Sequence, residues 1–424
     1  MQSLPAGPTL PEIVQAVAYH RDPLGVLRRA RARYGPVFTL RFPLKDPLVI
    51  VAAPDALGEL LASDPERARA GAARRSILPQ ASPASPFGGD ATAHESSRER
   101  MWPGFAPARI AAIEPSIAVL AGEHAAGWSR HRPFRLLEAM RALCTDIAVG
   151  LVLAVDDPVR RAALVDAIRR MLDVPGNPPL PLPGGSDGPA GAVGRAGDAF
   201  FERRAAPVRD LLLQELRARR STDGNAEDVL GAMLAFATPI DDAAIIDQLL
   251  IVLMAAQEPP AIALTNVVYE LAGRPMVAER FLADPGARRA IIAEVLRLRP
   301  SASAALRQLT RPMEVADHVL PAGTVIACPS LLLHRDPRAF PDPDAFMAER
   351  FADGTPDRAP YFPFGGGVGR CIGEALAEAQ FRAVLPAVLK GCCWRRAWPR
   401  EERMVVRGTV LVPHRGALVR AIEA

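Results

Sequence analysis

A glycine-rich loop that leads into one cysteine is the part of the sequence best suited to chemistry. It lies in the segment YFPFGGGVGRCIGEALAEAQFRAVLPAVL (361–389), where the periodic pattern after Cys371 predicts a helix from about Ile372. Glycines permit positive φ and close backbone approach, so successive N–H groups can turn toward one atom. A cysteine at a helix N-terminus feels the positive end of the helix dipole, which favours thiolate over thiol. The segment therefore predicts an electron-rich sulfur held by backbone donors.

Two other interpretations of this loop compete with that one. A dinucleotide or phosphate loop requires G-x-G-x-x-G or G-x-x-x-x-G-K, and neither fits, because Gly365 and Gly367 are followed by Arg370 where the third glycine belongs. A buried, inert cysteine beside a glycine turn is the more common case for a cysteine taken at random. The residue types alone therefore argue against a phosphate loop but leave the inert cysteine open.

Four residues of the loop resemble the haem-binding signature of the cytochrome P450 family, F-x-x-G-x-basic-x-C-x-G. They are Phe364, Gly367, Cys371 and Gly373. The resemblance implies that the chain binds haem b (iron protoporphyrin IX) and that Cys371 is the metal ligand, whose thiolate donates electron density that favours O–O cleavage. It also places Gly365 in the cofactor-binding loop.

The same resemblance implies a set of side chains that bind the haem propionates. His94 and Arg98 match the family's H-x-x-x-R, which presents both side chains from one helix face, and Arg307 is similar to a third propionate partner. One position departs from the pattern, because the family usually has Arg or His two residues before the cysteine and this chain has Gly369. Arg370 is adjacent and is expected to substitute, although its side chain should point differently.

Two further landmarks resemble those of the family and stand in the expected order. Glu294 and Arg297 lie three apart on one helical face and are similar to the family's Glu-x-x-Arg pair, which locks to an arginine in a later loop. Arg350 in AERF (348–351) matches that arginine, and the stretch 334–346 resembles the segment before it. Such a pair in isolation is most often a surface ion pair, but the resemblance implies a structural role that holds the cysteine loop in register.

An apolar helix predicted over roughly 241–272 is expected to cross the protein core. In the family, this central helix carries a signature similar to A-G-x-(Asp/Glu)-Thr-(Thr/Ser), whose acid and alcohol relay protons during oxygen activation. This chain has AAQEPP (255–260), so the acid is kept as Glu258 and the alcohol is replaced by Pro259. Ala256, Glu258 and Pro259 are therefore the candidate catalytic positions. The two prolines should break helix hydrogen bonds, at a cost on the order of 3 kcal/mol for an interior proline, where the family's helix is already bulged.

The missing hydroxyl leaves three interpretations of the chemistry open. In the first, the prolines only fix the bulge, and a substrate hydroxyl or a water replaces the threonine. In the second, the enzyme uses peroxide, or catalyses coupling, desaturation or ring closure. The family's peroxide-using branch is similar in its proline, but the arginine before that proline binds a fatty-acid carboxylate, and Glu258 has the wrong charge for this. In the third, the chain is a haem-binding scaffold without turnover.

The rest of the pattern predicts a mainly α fold with small β sheets. Residues 174–196 are rich in Pro and Gly without periodicity and are expected to form a flexible lid loop, with an interdomain linker as the alternative. Apolar residues at three- and four-residue spacing predict further helices over 110–127, 136–153, 158–173 and 287–298. Short strands are expected at 37–42 and 48–53 as an antiparallel pair, within 313–328, and at 404–408 and 409–413 as a terminal pair.

Composition narrows the class of protein. The 424 residues are 49% hydrophobic and 23% charged with a net charge of +4, and the basic residues are spread along the chain, so nucleic acid is not expected as a partner. Five cysteines without disulfide-framework or zinc spacing predict free thiols in a reducing compartment. No uninterrupted apolar stretch approaches the roughly 20 residues of a membrane span. The start has the pattern of neither a signal peptide nor an anchor, so the expected location is cytoplasmic.

Together with the resemblance, these patterns predict a single cytochrome P450 domain over 1–424, prism-like, with haem between the central helix and the helix after the cysteine. The resemblance implies a monooxygenase that oxidises a small organic molecule in bacterial secondary metabolism, with O2 and electrons from ferredoxin and ferredoxin reductase. Whether the substrate arrives on a carrier protein stays open. A neutral substrate is expected, because the segments that would line the pocket are small and mostly uncharged. By analogy of position they are 81–90, Leu253, Ala256, 301–306 and Thr409–Val410.

Overall fold

Helices form most of the structure. It is a computed structural model that describes residues 4–43, 45–62, 67–77, 81–155, 157–172, 188–221, 227–356 and 360–423. The helices predicted over 110–127, 136–153, 158–173 and 287–298 are confirmed as α6, α7, α8 and α13. The α-helices of the described residues are α1 (Glu12–Arg21), α2 (Pro23–Tyr34), α3 (Pro54–Ala62), α4 (Ala70–Arg75), α5 (Ala91–Phe105), α6 (Pro107–Ala126), α7 (Leu136–Leu153), α8 (Pro158–Leu172), α9 (Gly188–Ser221), α10 (Val229–Ala235), α11 (Asp242–Ala272), α12 (Pro275–Ala283), α13 (Pro285–Leu298), α14 (Ser330–Leu333) and α15 (Glu374–Leu389).

The strands form four small sheets beside the helices. The largest has the order β1-β2-β8-β5-β3, with β2 and β8 parallel and the other neighbours antiparallel. The predicted pairs at 37–42 with 48–53 and at 404–408 with 409–413 are confirmed as the antiparallel pairs β1–β2 and β10–β11. The strands are β1 (Val37–Leu40), β2 (Leu48–Val51), β3 (Ala68–Arg69), β4 (Phe134–Arg135), β5 (Ala304–Leu309), β6 (Met313–Val315), β7 (His318–Leu320), β8 (Val325–Pro329), β9 (Cys392–Arg396), β10 (Met404–Arg407), β11 (Val410–Pro413) and β12 (Leu418–Glu423).

The long helix α11 runs through the core and packs against α7, α9, α13 and α15. It begins where the carboxylate of Asp241 accepts a hydrogen bond from the N–H of Ala244 (2.7 Å) and ends at Gly273. By length and composition it could span a membrane, but 72% of its most apolar window is buried inside the protein, as the sequence predicted for a core helix. Pro259 and Pro260 lie within it without ending it.

The expected lid loop over 174–196 is only partly within the described residues. Residues 174–187 lie outside them, so a lid remains a prediction there. Residues 188–196, which the aperiodic pattern assigned to the same loop, form the first turns of α9 instead. The five cysteines are free, as their spacing predicted.

The Glu294–Arg297 pair lies at the centre of a buried cluster of hydrogen bonds beneath the segment that leads to the cysteine loop. We call this cluster the lock. Both side chains are fully buried, and the guanidinium donates to both carboxylate oxygens (2.7 and 2.8 Å). The remaining donors of Arg297 bond to the carbonyl oxygens of His334 (3.0 Å), Pro343 (2.7 Å) and Ala345 (3.1 Å). The Nε of Arg350 lies 3.6 Å from Glu294 Oε1. The expected structural role of the Glu-x-x-Arg pair is confirmed by these contacts.

His334 extends this lock to the cysteine loop. Its carbonyl oxygen accepts from Arg297, and its ring Nε2 accepts a hydrogen bond from the N–H of Phe362 (3.1 Å), two residues before the loop begins at Phe364. The imidazole is fully buried, and burial, with smaller contributions from the guanidinium groups of Arg335 and Arg297, lowers its pKa to about 3. The ring is therefore neutral in the folded protein across the ordinary pH range.

We expect the protein to lose stability as the pH falls through the range set by His334. Between its unfolded pKa of 6.5 and its folded pKa of about 3, the unfolded chain binds a proton that the folded chain does not. The free energy of unfolding therefore falls with decreasing pH, by at most about 1.4 kcal/mol per pH unit from this group. Denaturant unfolding of the wild type and of His334→Gln across this window measures the contribution. The variant should show the shallower dependence; parallel curves would contradict the assignment.

Candidate active site

The cysteine loop depends on glycines at two positions. Gly365 and Gly367 have φ of +73° and +59°, where a side chain is strained. A Cβ on Gly367 would also overlap the carbonyl oxygen of Leu61, so the loop lies directly against the end of α3. The N–H of Cys371 donates to the carbonyl oxygen of Phe364 (2.9 Å) and closes the loop. The structure thus brings the predicted loop residues into one tight turn.

Cys371 is exposed but lies among closely packed protein groups. Burial raises the pKa of its thiol, and the N–H of Gly373 and the guanidinium groups of Arg98 and Arg74 lower that pKa without outweighing burial. In the protein alone, burial of the thiol outweighs the expected effect of the helix terminus, and α15 begins only at Glu374. The Cys371 side chain is exposed, yet protein groups surround it closely, so the sulfur lies on the wall of an open recess. A metal cation bound to this sulfur would deprotonate it.

Two of the predicted propionate partners reach the loop from α5. The Nε2 of His94 lies 3.0 Å from the carbonyl oxygen of Val368, and Arg98 donates to the carbonyl oxygen of Arg370 (2.8 Å). Burial lowers the pKa of His94, and the nearby Arg98 and Arg74 lower it further. The H-x-x-x-R spacing therefore does bring both side chains to the same side of the loop.

Arg307 approaches the same region from β5. It is buried, donates to the carbonyl oxygen of Leu61 (3.1 Å), and has an Nε that is buried without a partner. Within the described parts of the chain, no carboxylate lies within ion-pair distance of Arg98 or Arg307. Arg307 is buried, and a buried cation requires an anionic partner, which the two carboxylates of a haem would supply on this side. The residues present therefore fit haem.

Arg370 does not take the place of the missing basic side chain at 369. Its exposed guanidinium forms a two-point ion pair with Glu374 (2.7 and 2.6 Å). The space beside Gly369 is occupied instead by Arg74, whose Nη2 is 3.4 Å from where a Cβ would stand, and by Arg307 at 3.7 Å. Sequence reasoning missed Arg74, because it belongs to no motif. The one available signal was that Gly369 leaves a basic position unfilled.

On α11, the candidate acid is turned toward a neighbouring helix. Glu258 forms a two-point ion pair with Arg141 of α7, in which Arg141 Nε is 2.8 Å from the carboxylate. The buried Gln257 donates to the carbonyl oxygen of Arg141 (3.4 Å), so two successive residues of α11 contact this arginine. Sequence reasoning missed Arg141, since its helix was predicted only from an apolar face.

A hydroxyl group contacts Pro259, where the threonine of the family pattern is missing. Ser301 Oγ donates to the carbonyl oxygen of Pro259 (3.0 Å). The segment that carries Ser301 is fixed by Ser303, whose Oγ and N–H both donate to the carbonyl oxygen of Thr409 (3.0 and 3.1 Å). The structure thus brings together the proline turn of α11, the 301–303 segment and Thr409, all assigned to one region by sequence.

One residue in the middle of α11 is open, while most of its neighbours on the helix are buried. Ala255 is exposed, although most residues of the helix around it are buried. Ala256 is 8% exposed, and Leu253 is fully buried, so the predicted place of Leu253 on the pocket wall is wrong. Residues 301–306 are partly exposed, with Ala302 the most open. An exposed alanine within a buried helix indicates a cavity against this turn.

Comparisons with known proteins agree with this geometry. A family model described as Cytochrome P450 matches residues 288–418. A Mycobacterium tuberculosis protein that bears the name cytochrome P450 135A1 is 31% identical over 432 residues, which cover 99% of this chain and 95% of that protein. A Mycobacterium bovis protein named cytochrome P450 135B1 is 30% identical, covering 98% and 91%. Among solved structures, the retinoic acid-bound cyanobacterial CYP120A1 has a TM-score of 0.82 at 21% identity over the whole of both chains, and the cytochrome P450DA heme domain has 0.81 at 18%, covering 100% of this chain and 98% of that one.

Proposed function

The chain belongs to the cytochrome P450 family and is a haem-thiolate monooxygenase that binds haem b, and from this premise we propose that it oxidises a small, neutral organic molecule in bacterial secondary metabolism. The observation that carries the proposal is the position of Cys371, an exposed thiol on the wall of a recess, held by a glycine-shaped loop and flanked by cations without carboxylate partners. This arrangement suits a metal ligand beside a cofactor with two carboxylates.

When bound, haem supplies the oxygen activation and the oxidising power of the reaction. In the proposed site Cys371 is the iron ligand, and His94, Arg98 and Arg307 bind the propionates. Phe364, Gly365 and Gly373 belong to the cysteine loop, whose shape keeps the sulfur in place. The lock around Glu294 and Arg297 fixes the segment before that loop.

The proposed substrate is neutral because the segments near the proline turn carry few charges. Ser301, Ser303 and Thr409 supply hydroxyl groups there, and Ala255 and Ala302 leave room because their side chains are small. Glu258, the one acid in the 255–260 turn, is engaged with Arg141 rather than left free to attract a cation. Hydroxyl groups and small apolar side chains together suit an uncharged molecule with a few polar groups.

We propose ferredoxin and ferredoxin reductase as the electron donors and the cytoplasm as the location. The near-complete alignment with the mycobacterial 135A1 protein supports a bacterial electron-transfer system, since both chains align over almost their full lengths. Five free cysteines are consistent with a reducing compartment. A substrate tethered to a carrier protein is compatible with this proposal.

Proton delivery at the proline turn is assigned to Glu258 and Ser301. Glu258 is the ionisable side chain of the 255–260 turn, and it would act either by leaving Arg141 or through water. Ser301 Oγ already donates to the carbonyl oxygen of Pro259, so it supplies a hydroxyl beside the position where the family pattern has threonine. Ala256 and Pro259 shape this turn without donating a proton.

We expect Glu258→Gln to slow oxygen-driven turnover by roughly 10²-fold, the loss typical of a removed acid–base group. Glutamine keeps the size of the side chain and can accept from Arg141, but it has no ionisable proton. Peroxide-driven product formation should change little, because hydrogen peroxide brings its own protons. Product formed per NAD(P)H through ferredoxin, compared with product formed from peroxide, measures the difference. Glu279→Gln, at an exposed position of α12, is the matched control; equal losses in both reactions would assign Glu258 a structural role.

A peroxide-using or ring-forming enzyme is the second candidate, because Pro259 has no hydroxyl to relay a proton. Spectral titration of the ferric protein with natural-product scaffolds first identifies a substrate class through a saturable shift of the Soret band toward the high-spin form. That substrate is then given either the ferredoxin system with O2 or peroxide alone. Product with the ferredoxin system supports the monooxygenase, and product with peroxide alone supports the second candidate. A purified protein without haem would refute both.

A further inference from the structure

Arg74 occupies the space that a side chain at 369 would need. Its Nη2 lies 3.4 Å from the Cβ position of Gly369, which is a tight contact, and the nearest other groups there are the guanidinium nitrogens of Arg307 at 3.7 and 3.9 Å. A larger residue at 369 would have to displace one of these arginines. The absence of a side chain at 369 and the presence of a guanidinium beside it are therefore complementary.

The helix that carries Arg74 is held firmly in place. The carboxylate of Asp90 accepts hydrogen bonds from the N–H groups of Gly71 (2.7 Å) and Ala72 (2.8 Å), at the start of α4. A Cβ on Gly71 would overlap the backbone carbonyls of 88–89, so α4 packs directly on that segment. The following residue, Arg75, pairs with Asp90 (3.5 Å) and so takes the nearby negative charge. The backbone of α4 thus directs Arg74 toward the cysteine loop. Asp90 already pairs with the neighbouring Arg75.

The guanidinium of Arg74 lacks an anionic partner of its own. It donates to the carbonyl oxygen of Phe87 (3.2 Å) and stacks on that ring, 4.9 Å from its centroid. Among the described residues no carboxylate lies within ion-pair distance of it. Burial and the neighbouring Arg307 lower its pKa to about 10, which reflects close like charges away from bulk water. An anion that binds between these guanidinium groups would reduce their mutual repulsion.

We propose that Arg74 binds a haem propionate in place of the basic residue that the family pattern puts at 369, and that Gly369 is the opening that admits it. A guanidinium is suited to this task, because its planar fork matches a carboxylate at two points. Arg370, the neighbour with the right charge, is already engaged with Glu374 on the exposed side of the loop. The inference rests on the proposed function, since it requires haem, but it assigns the contact to a residue outside the family signature.

The test compares the rate at which purified ferric proteins lose haem to an excess of apomyoglobin. Arg74→Ala should lose haem about 10- to 100-fold faster than the wild type, the range for a lost hydrogen bond to a charged group. Arg69→Ala, an exposed arginine of β3 on the same segment, is the matched control and should match the wild type. Arg74→Lys keeps the charge without the fork and should lie between them. Should Arg74→Ala fold poorly by circular dichroism, Arg74→Gln, which can still donate to Phe87, replaces it.

A double variant that moves the basic side chain from position 74 to position 369 gives the decisive comparison. In Arg74→Ala, the second change Gly369→His has room for its ring and should restore most of the haem retention. In the native background, Gly369→His must displace Arg74 and should bring no gain. The ferric/ferrous midpoint potential should fall in Arg74→Ala and not in Arg69→Ala, because a nearby cation stabilises the more negative, reduced form.

The outcomes separate this inference from the proposed function. If Arg74→Ala retains haem as Arg69→Ala does, or if Gly369→His fails to slow haem loss in the Arg74→Ala background, Arg74 does not bind the propionate. Neither result contradicts the proposed function, because the wild type would still bind haem through the thiolate. A wild type without haem, or with haem lacking thiolate ligation, instead refutes the proposed function before any variant is compared.

Discussion

Cys371→Ala is expected to abolish the thiolate spectrum of the haem and to reduce monooxygenase turnover to background, while the polypeptide stays folded. The sulfur is the proposed iron ligand, and alanine has no atom that can replace it. Because Cys371 is exposed on a recess rather than packed in the core, its removal leaves no cavity that would unfold the protein. Haem retention should fall by more than the roughly 10–100-fold that loss of an outer-shell partner of a metal site costs.

The absorption spectrum of the reduced carbon monoxide complex, product formation and far-UV circular dichroism of the same preparations measure this prediction. Cys393→Ala is the matched control, since Cys393 is also exposed but lies on β9. Cys144 and Cys328 are unsuited to ligation, because both side chains are fully buried in the core, whereas Cys371 is exposed. A thiolate spectrum that survives in Cys371→Ala, or disappears in Cys393→Ala, would move the ligand to another cysteine.

The parts of the site that sequence predicted well are those in which spacing along one segment determines geometry. Gly365 and Gly367 shape the loop because both have positive φ, and a Cβ on Gly367 would also overlap the carbonyl oxygen of Leu61. His94 and Arg98 reach one side of that loop because residues four apart share a helix face. In each case residues close in sequence set the local geometry, so a pattern could predict it, whereas the contacts with Leu61 and with the loop carbonyls join distant segments.

The contacts that sequence did not predict join segments far apart in the chain. Glu258 meets Arg141, and Gly369 meets Arg74, only because whole helices pack against each other. No period or spacing carries that information. The prediction for Arg370 failed for a local reason that could have been weighed: Glu374 is four residues along, where an ion pair with Arg370 competes with any other use of the guanidinium.

The helices and strands divide in the same way into those that the sequence predicted and those that it did not. Apolar periodicity predicted α6, α7, α8 and α13, a long apolar stretch predicted α11, and short apolar runs predicted the pairs β1–β2 and β10–β11. The strands β3 and β4 escaped prediction, since each has two residues and exists only through its partner in a sheet. The start of α9 was missed for another reason: the glycines and Pro189 in 188–196 disfavour a helix, yet this segment is the first part of the long helix that runs on from 197.

The second large effect is expected for Arg297→Ala, which should lower the free energy of unfolding by about 3–5 kcal/mol, the usual cost of breaking a buried ion pair by removing one partner. The change leaves the Glu294 carboxylate buried without its cation. It also removes the donors to the carbonyl oxygens of His334, Pro343 and Ala345, which hold the segment before the cysteine loop. Haem retention should therefore fall together with stability, although Arg297 touches neither the loop nor Arg74.

The chain contains a matched pair that isolates the effect of burial. Arg280 and Glu349 are also 2.7 Å apart, but their side chains are 54% and 65% exposed, whereas those of Arg297 and Glu294 are 0% exposed. Solvent screens the exposed pair, so Arg280→Ala should cost at most about 1 kcal/mol. Denaturant unfolding of the two variants, with haem content measured on the same samples, compares them directly. Similar losses would mean that burial of the Glu294–Arg297 pair does not stabilise the fold, and unchanged haem retention in Arg297→Ala would separate the lock from the cysteine loop.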